Sequence, residues 1–372
     1  MMTREQIIER FKNNDLAENM GLATPNPIVL HACLDQWEQP HRYYHGLNHL
    51  SDLLNQIDRL PITSSQVWNK YEKEKMEILA LFHDVIYDPR KKDNEDASIQ
   101  FIKNFALIDF RHEAVKQIIQ GIHYTKYTQS FLELDDDDFV KEFCQMDIGS
   151  GCGEYEGHPV PDAMPITLTD LTKREMYLLK EFQFVSFPTY REKRIEFVKN
   201  FQYYSDIHQY TTTDFLSSYR PKIGVYPGSF NPFSVGHMNI LEQAEKIFDK
   251  VIIAIGKNPD KVPDRTGIYT VEKILPFHEV AYYDGLLSDY LKTLDYADIT
   301  VIRGLRSGYD LDYEMTQLRI LEDYGCKLPV TYFLCSKETT HVSSSMIRGL
   351  SKFSNGHPEK YIPTKYDYAK KY

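Results

Sequence analysis

The hydrophobic pattern of this chain changes once, near residues 217–221, and the change separates two parts of different fold class. Before it, apolar residues recur three and four positions apart, as in residues 44–57, which predicts amphipathic helices. After it, the short apolar runs KIGVY, VIIAI, ITVIR and VTYFL alternate with segments of helical period. That alternation is typical of a parallel sheet with crossover helices. We therefore expect an all-α domain at residues 1–216 and a doubly wound α/β domain at residues 222–372.

Length and composition restrict the classes of partner. A chain of 372 residues has room for two hydrophobic cores. Its 5 cysteines are odd in number and form no CxxC pair, which argues against a disulfide framework and a cysteine zinc site. No apolar run has bilayer length and no secretion signal is evident, so we expect a cytoplasmic protein without a membrane partner. The net charge of -11 disfavours nucleic acid as a partner.

One strand-to-helix junction carries a phosphate-site pattern. The run KIGVY leads into PGSFNPFSVGH, and MNILEQAEKIFD follows as a predicted helix. Backbone N–H groups and the positive end of the helix dipole would meet there, with Gly228 and Gly236 allowing close approach and His237 adding a donor. The helix face predicted to pack on the sheet comprises Ile240, Leu241, Ala244, Ile247 and Phe248.

The junction resembles the signature of the nucleotidylyltransferase superfamily, with Ser234-Val235-Gly236-His237 where that signature reads [H/T]xGH. The segments NPDKVP, IRGLRSGYDLDYEM and SSSMIR follow in the order of bacterial phosphopantetheine adenylyltransferases. This resemblance covers residues 222–363 and implies a Rossmann-like nucleotidyltransferase fold. It also implies transfer of adenylate from ATP to 4'-phosphopantetheine in coenzyme A biosynthesis, with Mg²⁺ accompanying ATP, and a homo-oligomer.

The same resemblance implies the roles of individual residues. His237, Lys261 and Arg306 would be catalytic, since they would contact the phosphate oxygens of the reacting centre. The residues implied to bind ATP and the acceptor are Ser229, Phe230, Gly236, Arg303, Glu314, Ser343, Ser344 and Ser345. Asn231 replaces an Asp of the family, and Gly285 stands where an acidic residue is frequent. Another phosphate acceptor, as for a cytidylyltransferase, is therefore the alternative.

Ligand-type residues cluster in the first domain. His45 and His49 are four apart, which predicts that they share a helix face. His83 and Asp84 end an apolar helical segment, where burial of both is costly unless they are paired or bind a metal. The set of nitrogen and oxygen ligands predicts a divalent metal site.

Residues 42–49, 82–88 and 94–98 resemble the RxYHxxxH, FHDxxYD and NExxS motifs of the HD superfamily of metal-dependent phosphohydrolases. The resemblance spans about residues 25–210 and implies hydrolysis of a phosphoester or phosphoanhydride with Mn, Fe, Mg or Zn. The implied metal ligands are His49, His83, Asp84 and Asp147. The implied site-lining residues are His45, Asp88, Glu95 and His123. A non-catalytic, metal-bound regulatory or oligomerisation module is the alternative.

Overall fold

A computed structural model describes residues 2–20, 22, 28–60, 68–104, 111–126, 138–148, 168–201, 204, 206–256, 271–325 and 327–364. Lys261 and the NPDKVP segment lie outside these residues. The chain divides into two compact units: Met1–Arg174 with Val198–Thr212, and Glu175–Phe197 with Thr213–Tyr372. Within the described ranges no helix is both long and apolar enough to cross a membrane.

The described part of the first unit is helical, as the sequence predicts. Its helices are α1 (Arg4–Lys12), α2 (Asp15–Asn19), α3 (Ile28–Trp37), α4 (Leu47–Arg59), α5 (Lys70–Phe82), α6 (Asn94–Lys103), α7 (Glu113–Tyr124) and α8 (Asp138–Ile148). Helix α5 is buried throughout its second half, and Trp37 Nε1 donates to the Leu81 carbonyl at 2.9 Å. Helices α9 (Leu168–Glu181) and α11 (Asp206–Ser218) each have residues in both units, and α10 spans Phe187–Asn200.

Helix α4 begins two residues later than its histidine spacing predicts. Gly46 is the N-cap, so His45 precedes the helix and the prediction that His45 and His49 share a helix face is wrong. The cause is a tight approach of the chain to itself, because a Cβ at Gly46 would lie 2.6 Å from the Arg42 carbonyl oxygen.

The second unit contains a five-stranded parallel sheet of order β3-β2-β1-β4-β5. Its strands are β1 (Lys222–Gly228), β2 (Lys250–Gly256), β3 (Glu279–Tyr283), β4 (Asp298–Leu305) and β5 (Val330–Leu334). Its helices after α11 are α12 (Val235–Ala244), α13 (Val271–Ile274), α14 (Leu287–Lys292), α15 (Gly308–Asp323) and α16 (Ser344–Leu350), before a 3-10 turn at Pro358–Tyr361. The strand order reverses between β1 and β4, and in such sheets ligands bind outside the carboxyl ends at that point.

Two details of the sheet differ from the sequence prediction. The half-exposed edge strand β3 was not among the four predicted apolar runs. Helix α12 ends at Ala244, so Ile247 lies beyond it with 58% of its surface exposed and does not pack on the sheet as predicted.

Residues 175–197 belong to the same compact unit as the sheet. Phe187 is fully buried, with its ring 6.3 Å from Tyr219 and 6.1 Å from Tyr296. Lys250, also buried, donates to the carbonyls of Gln183 and, at 2.7 Å, Val185. A boundary placed by the change in hydrophobic period cannot detect such contacts.

Candidate functional sites

A pocket of about 300 Å³ opens at the carboxyl ends of β1 and β4. Among the residues that the structure describes, all those predicted for nucleotide and acceptor binding line it: Ser229, Phe230, Gly236, His237, Arg303, Arg306, Glu314, Ser343, Ser344 and Ser345. The parallel sheet brings them together, since β1 leads into the junction before α12, β4 into the arginine segment, and the chain after β5 into the serines.

His237 is fixed by the cap of its own helix. Ser234 is the N-cap of α12: its hydroxyl accepts from the His237 backbone N–H at 3.3 Å, and its backbone N–H donates to His237 Nδ1 at 3.0 Å. Because Nδ1 accepts a hydrogen, the neutral ring carries its proton on Nε2. Burial and the charge of Arg306 lower the pKa of His237 to about 4. His237 is therefore a neutral hydrogen-bond donor near pH 7.

The two predicted arginines are held by carboxylates of α15. Arg306 contacts Asp310 through Nε and Nη2 at 3.1 and 3.0 Å, and its backbone N–H donates to the same carboxylate at 2.8 Å. Arg303 Nε lies 3.0 Å from Glu314 Oε2. Glu314, predicted to meet the acceptor or ribose, is thus an orienting partner of Arg303 here.

The three serines each have a different contact. Ser343 caps α16 by accepting from the Met346 N–H at 3.1 Å, Ser344 donates to the Pro232 carbonyl at 2.9 Å, and Ser345 Oγ accepts from Arg348 Nη2 at 3.1 Å. Arg348 lines the pocket but was assigned no role from the sequence. Its place in SSSMIR, four residues after Ser344 on a predicted helix, was the signal available.

The first unit contains a compact cluster of ligand-type atoms. One atom each of His49, His83 and Asp147 lies within 4.8 Å of the others. His49 Nε2 is 2.9 Å from Asp147 Oδ1, and His83 Nε2 is 3.4 Å from that oxygen and 3.2 Å from Asp84 Oδ2. Three of the four predicted metal ligands, from α4, the end of α5 and α8, therefore form one group, and Asp84 contacts it through His83.

The nitrogen and oxygen atoms of this cluster are suitable ligands for a metal cation. His83 Nδ1 lies 2.9 Å from the Ala80 carbonyl and donates to it, so the other ring nitrogen, Nε2, faces two carboxylates. Within the part of the chain that the structure describes, that buried nitrogen makes no hydrogen bond of regular geometry. Burial lowers the pKa of His83, but Asp84 and Asp147 outweigh it and raise the pKa to about 10. The same carboxylates would attract a divalent ion, for which imidazole and carboxylate are suitable ligands.

The predicted lining residues have different environments. The His45 ring is 5.8 Å from that of His49 and stacks on Tyr87 at 4.1 Å. Burial raises the pKa of Glu95, and so does the charge of Asp84, which places that carboxyl beside the cluster.

The other two lining residues are paired with charged neighbours. Asp88 is engaged by Arg90, with contacts of 2.8 and 2.6 Å. His123 is half-exposed, with Nδ1 3.9 Å from Asp96.

Arg42, quoted in the motif without a role, supports the cluster through the backbone. Its Nη1 donates to the Asp84 carbonyl at 2.6 Å and its Nη2 to the Val85 carbonyl at 3.0 Å. The guanidinium also lies over the rings of Trp37 and Tyr87, at 5.6 and 5.7 Å. Arg42 thereby fixes the turn that presents Asp84.

Comparison with known proteins finds similarity in the carboxyl-terminal part. A cytidylyltransferase-like family model matches residues 225–350. The phosphopantetheine adenylyltransferase of Buchnera aphidicola subsp. Schizaphis graminum is 34% identical over 155 residues, which are 40% of this chain and 92% of that protein. The enzyme of the same name from Alkaliphilus metalliredigens is 34% identical over 149 residues, or 38% of this chain and 92% of that protein.

One solved structure also matches. It is described as a candidate nicotinate-nucleotide adenylyltransferase from Vibrio parahaemolyticus, has 21% sequence identity and a TM-score of 0.28, and the match covers 38% of this chain and 86% of that one.

Proposed function

Because the chain belongs, through its carboxyl-terminal part, to the phosphopantetheine adenylyltransferase family, we propose that this nucleotidyltransferase domain transfers adenylate from ATP to 4'-phosphopantetheine. The products would be dephospho-coenzyme A and pyrophosphate, and Mg²⁺ would accompany ATP. The observation that carries the proposal is the pocket of about 300 Å³, which is lined by the neutral His237 and by the cations Arg303, Arg306 and Arg348.

Catalysis of this reaction requires that the two substrates be positioned and that the negative charge of the transition state be stabilised. An oxygen of the acceptor phosphate attacks the α-phosphorus of ATP, the bond from that phosphorus to the bridging oxygen breaks, and pyrophosphate leaves with the electron pair. Negative charge grows on the α-phosphate oxygens, where the Nε2–H of His237 would donate. Arg306 and Arg348 would hold the remaining phosphate charge by charge-assisted hydrogen bonds. No residue has to form a covalent intermediate.

Pyrophosphate release from ATP and 4'-phosphopantetheine tests this function. The full chain should react with ATP, react poorly with CTP, and lose about 10²- to 10³-fold of its rate in His237→Ala, the usual cost of one such donor. The exposed His357→Ala is the matched control and should keep the wild-type rate. Reaction with CTP and not ATP, or with another phosphate acceptor only, would replace the substrate assignment and leave the nucleotidyltransferase fold intact.

We further propose that the helical unit is a metal-dependent phosphohydrolase of the HD type. The supporting observation is the buried His83 Nε2, which lies 3.2 Å from a carboxylate oxygen of Asp84 and 3.4 Å from one of Asp147. His49, His83, Asp84 and Asp147 would hold a divalent ion, which activates water for attack on a phosphoester or phosphoanhydride when bound. Glu95 would line the substrate side of this site.

Substitution of the cluster separates this function from a regulatory one. Asp84→Asn and His83→Ala should abolish Mn²⁺-dependent phosphohydrolysis while pyrophosphate release by the sheet unit continues. Altered transferase kinetics with no hydrolytic activity in the wild-type protein would instead support a metal-bound regulatory module.

A further inference from the structure

A cationic side chain from a distant part of the chain lies one aromatic ring away from a predicted metal ligand. The guanidinium carbon of Arg174, on α9, is 5.0 Å from the centre of the Tyr44 ring and 5.9 Å from that of Tyr204. The Tyr44 ring stacks on His49, with centroids 5.2 Å apart and an interplanar angle of 28°. One aromatic ring therefore contacts both Arg174 and a predicted metal ligand.

The two tyrosines suit an arginine in particular. A guanidinium is planar and weakly hydrated, so it stacks on aromatic faces better than an ammonium does. Contact with rings on two elements restrains the side chain before any ligand arrives, and a preorganised guanidinium loses less conformational entropy on binding. The Tyr204 ring is itself fixed, since it stacks on His208 with centroids 3.8 Å apart.

The charge of the cluster indicates what such a cation would do. Asp84 and Asp147 together balance the charge of a divalent ion, so the loaded site has little surplus positive charge for an anionic substrate. A phosphate group needs a further donor, and planar guanidinium groups bind phosphate oxygens in pairs.

We propose that Arg174 is a substrate-binding residue of the metal cluster and holds the phosphate group of a phosphoester or phosphoanhydride. The proposal rests on the phosphohydrolase function proposed for this unit. Tyr44 would act as a spacer that sets the distance between the guanidinium and the ion-binding side of His49.

Binding of inorganic phosphate to the full chain loaded with Mn²⁺ tests the proposal. Mn²⁺ binding is followed by electron paramagnetic resonance of the free ion, and phosphate binding by paramagnetic broadening of the ³¹P signal. The variants are Arg174→Gln, Arg174→Lys and, as matched control, Arg59→Gln, an exposed arginine at the end of α4. His83→Ala gives the background from phosphate bound elsewhere.

Arg174→Gln should bind Mn²⁺ like the wild type and bind phosphate roughly 10- to 100-fold more weakly, the range expected for loss of a charged hydrogen-bond partner. Arg174→Lys should recover part of that affinity, and Arg59→Gln should match the wild type. Unchanged phosphate affinity in Arg174→Gln would overturn the proposed role of Arg174. The same holds if Arg174→Gln loses Mn²⁺ binding and phosphate binding together and Arg174→Lys restores neither. Absence of Mn²⁺ binding in the wild-type protein instead overturns the metal site itself.

Discussion

Ser234 and His237 exchange two hydrogen bonds, from the Ser234 backbone N–H to His237 Nδ1 at 3.0 Å and from the His237 backbone N–H to Ser234 Oγ at 3.3 Å. The pair closes the amino-terminal turn of α12 and also selects the tautomer of the imidazole. A helix cap and the predicted catalytic donor are thus one structural element, and the donor direction is set before substrate binds.

Ser234→Ala tests this coupling. Loss of the cap should lower the free energy of unfolding by about 1 kcal/mol. The imidazole keeps its backbone partner but loses the restraint on its turn, so pyrophosphate release should fall, though less than in His237→Ala. Urea denaturation and steady-state kinetics measure the two effects. Asn69→Ala, which removes the N-cap of α5, is the control and should lose similar stability without a change in rate. If Ser234→Ala kept the full transferase rate, the helix cap would not be needed to orient His237.

The low pKa of His237 predicts that its contribution to the transferase rate does not change with pH near neutrality. Burial and Arg306 lower that pKa to about 4, so the ring stays neutral through the physiological range. We expect the ratio of the wild-type rate to the His237→Gln rate to be constant from about pH 5.5 to pH 8. The ratio cancels ionisation of the substrate phosphates. An inflection of the ratio near the ordinary value of 6.5 would contradict a neutral donor.

The same pKa has a consequence for stability. A histidine whose pKa is lowered on folding takes up protons more readily when the chain is unfolded. The contribution of neutral His237 to folding stability is fully present above pH 6.5, the ordinary pKa of histidine. It is lost as the pH falls toward about 4, the pKa of His237 in the folded protein. Wild-type protein should therefore lose stability relative to His237→Gln across that interval, as measured by urea denaturation at a series of pH values.

The pocket residues were predictable because each motif follows a strand and a parallel sheet gathers those ends at one edge. Arg348 was missed because the sequence does not show which face of a short helix the pocket occupies. Its contact with the Asn231 carbonyl is tertiary. The edge strand β3 was missed for a related reason: a half-exposed strand lacks the continuous apolar run of a buried one.

In the helical unit, the ligand types were predictable but not their local geometry. His49, His83, Asp84 and Asp147 come together as expected from the motifs. The four-residue spacing of His45 and His49 led to a wrong prediction of a shared helix face. Helix α4 begins only after Gly46, where the chain approaches itself closely. Arg174 lies far from the motifs in sequence, and its contact with Tyr44 is tertiary.

Asp310 is predicted to position Arg306 for phosphate binding. Asp310→Asn keeps the size of the side chain and removes the charge that holds the guanidinium through two contacts. The pair is partly exposed, so stability should change by less than about 1 kcal/mol. The KM for ATP or the acceptor should rise by up to about tenfold, which corresponds to about 1.4 kcal/mol. Asp289→Asn, in the exposed pair with Lys292, is the control and should alter neither constant. An unchanged KM in Asp310→Asn would show that Arg306 needs no such partner.

Metal loading should stabilise the helical unit. A ligand that binds only the folded state adds about 2.7 kcal/mol at a hundredfold excess over its dissociation constant. Urea denaturation followed by helical circular dichroism should shift upward with Mn²⁺ relative to EDTA in the wild type but not in Asp84→Asn. His31→Gln, which changes an exposed histidine on α3, should shift like the wild type. An equal shift in Asp84→Asn would place the bound ion somewhere other than this cluster.

Lys250 joins residues 175–197 to the sheet, and its substitution tests that association. The fully buried ammonium contacts Glu279 at 2.8 Å and the carbonyl oxygens of Gln183 and Val185. Lys250→Met fills the space but leaves a carboxylate and two carbonyls without their cation, a change that commonly costs about 3–5 kcal/mol. The urea transition of the sheet unit, followed by loss of pyrophosphate release, should move to lower denaturant. Lys222→Met, at an exposed position of β1, should leave it unchanged. If Lys250→Met were as stable as the wild type, residues 175–197 would be held by Phe187 and its apolar neighbours alone, because the buried charge would then contribute no net stability.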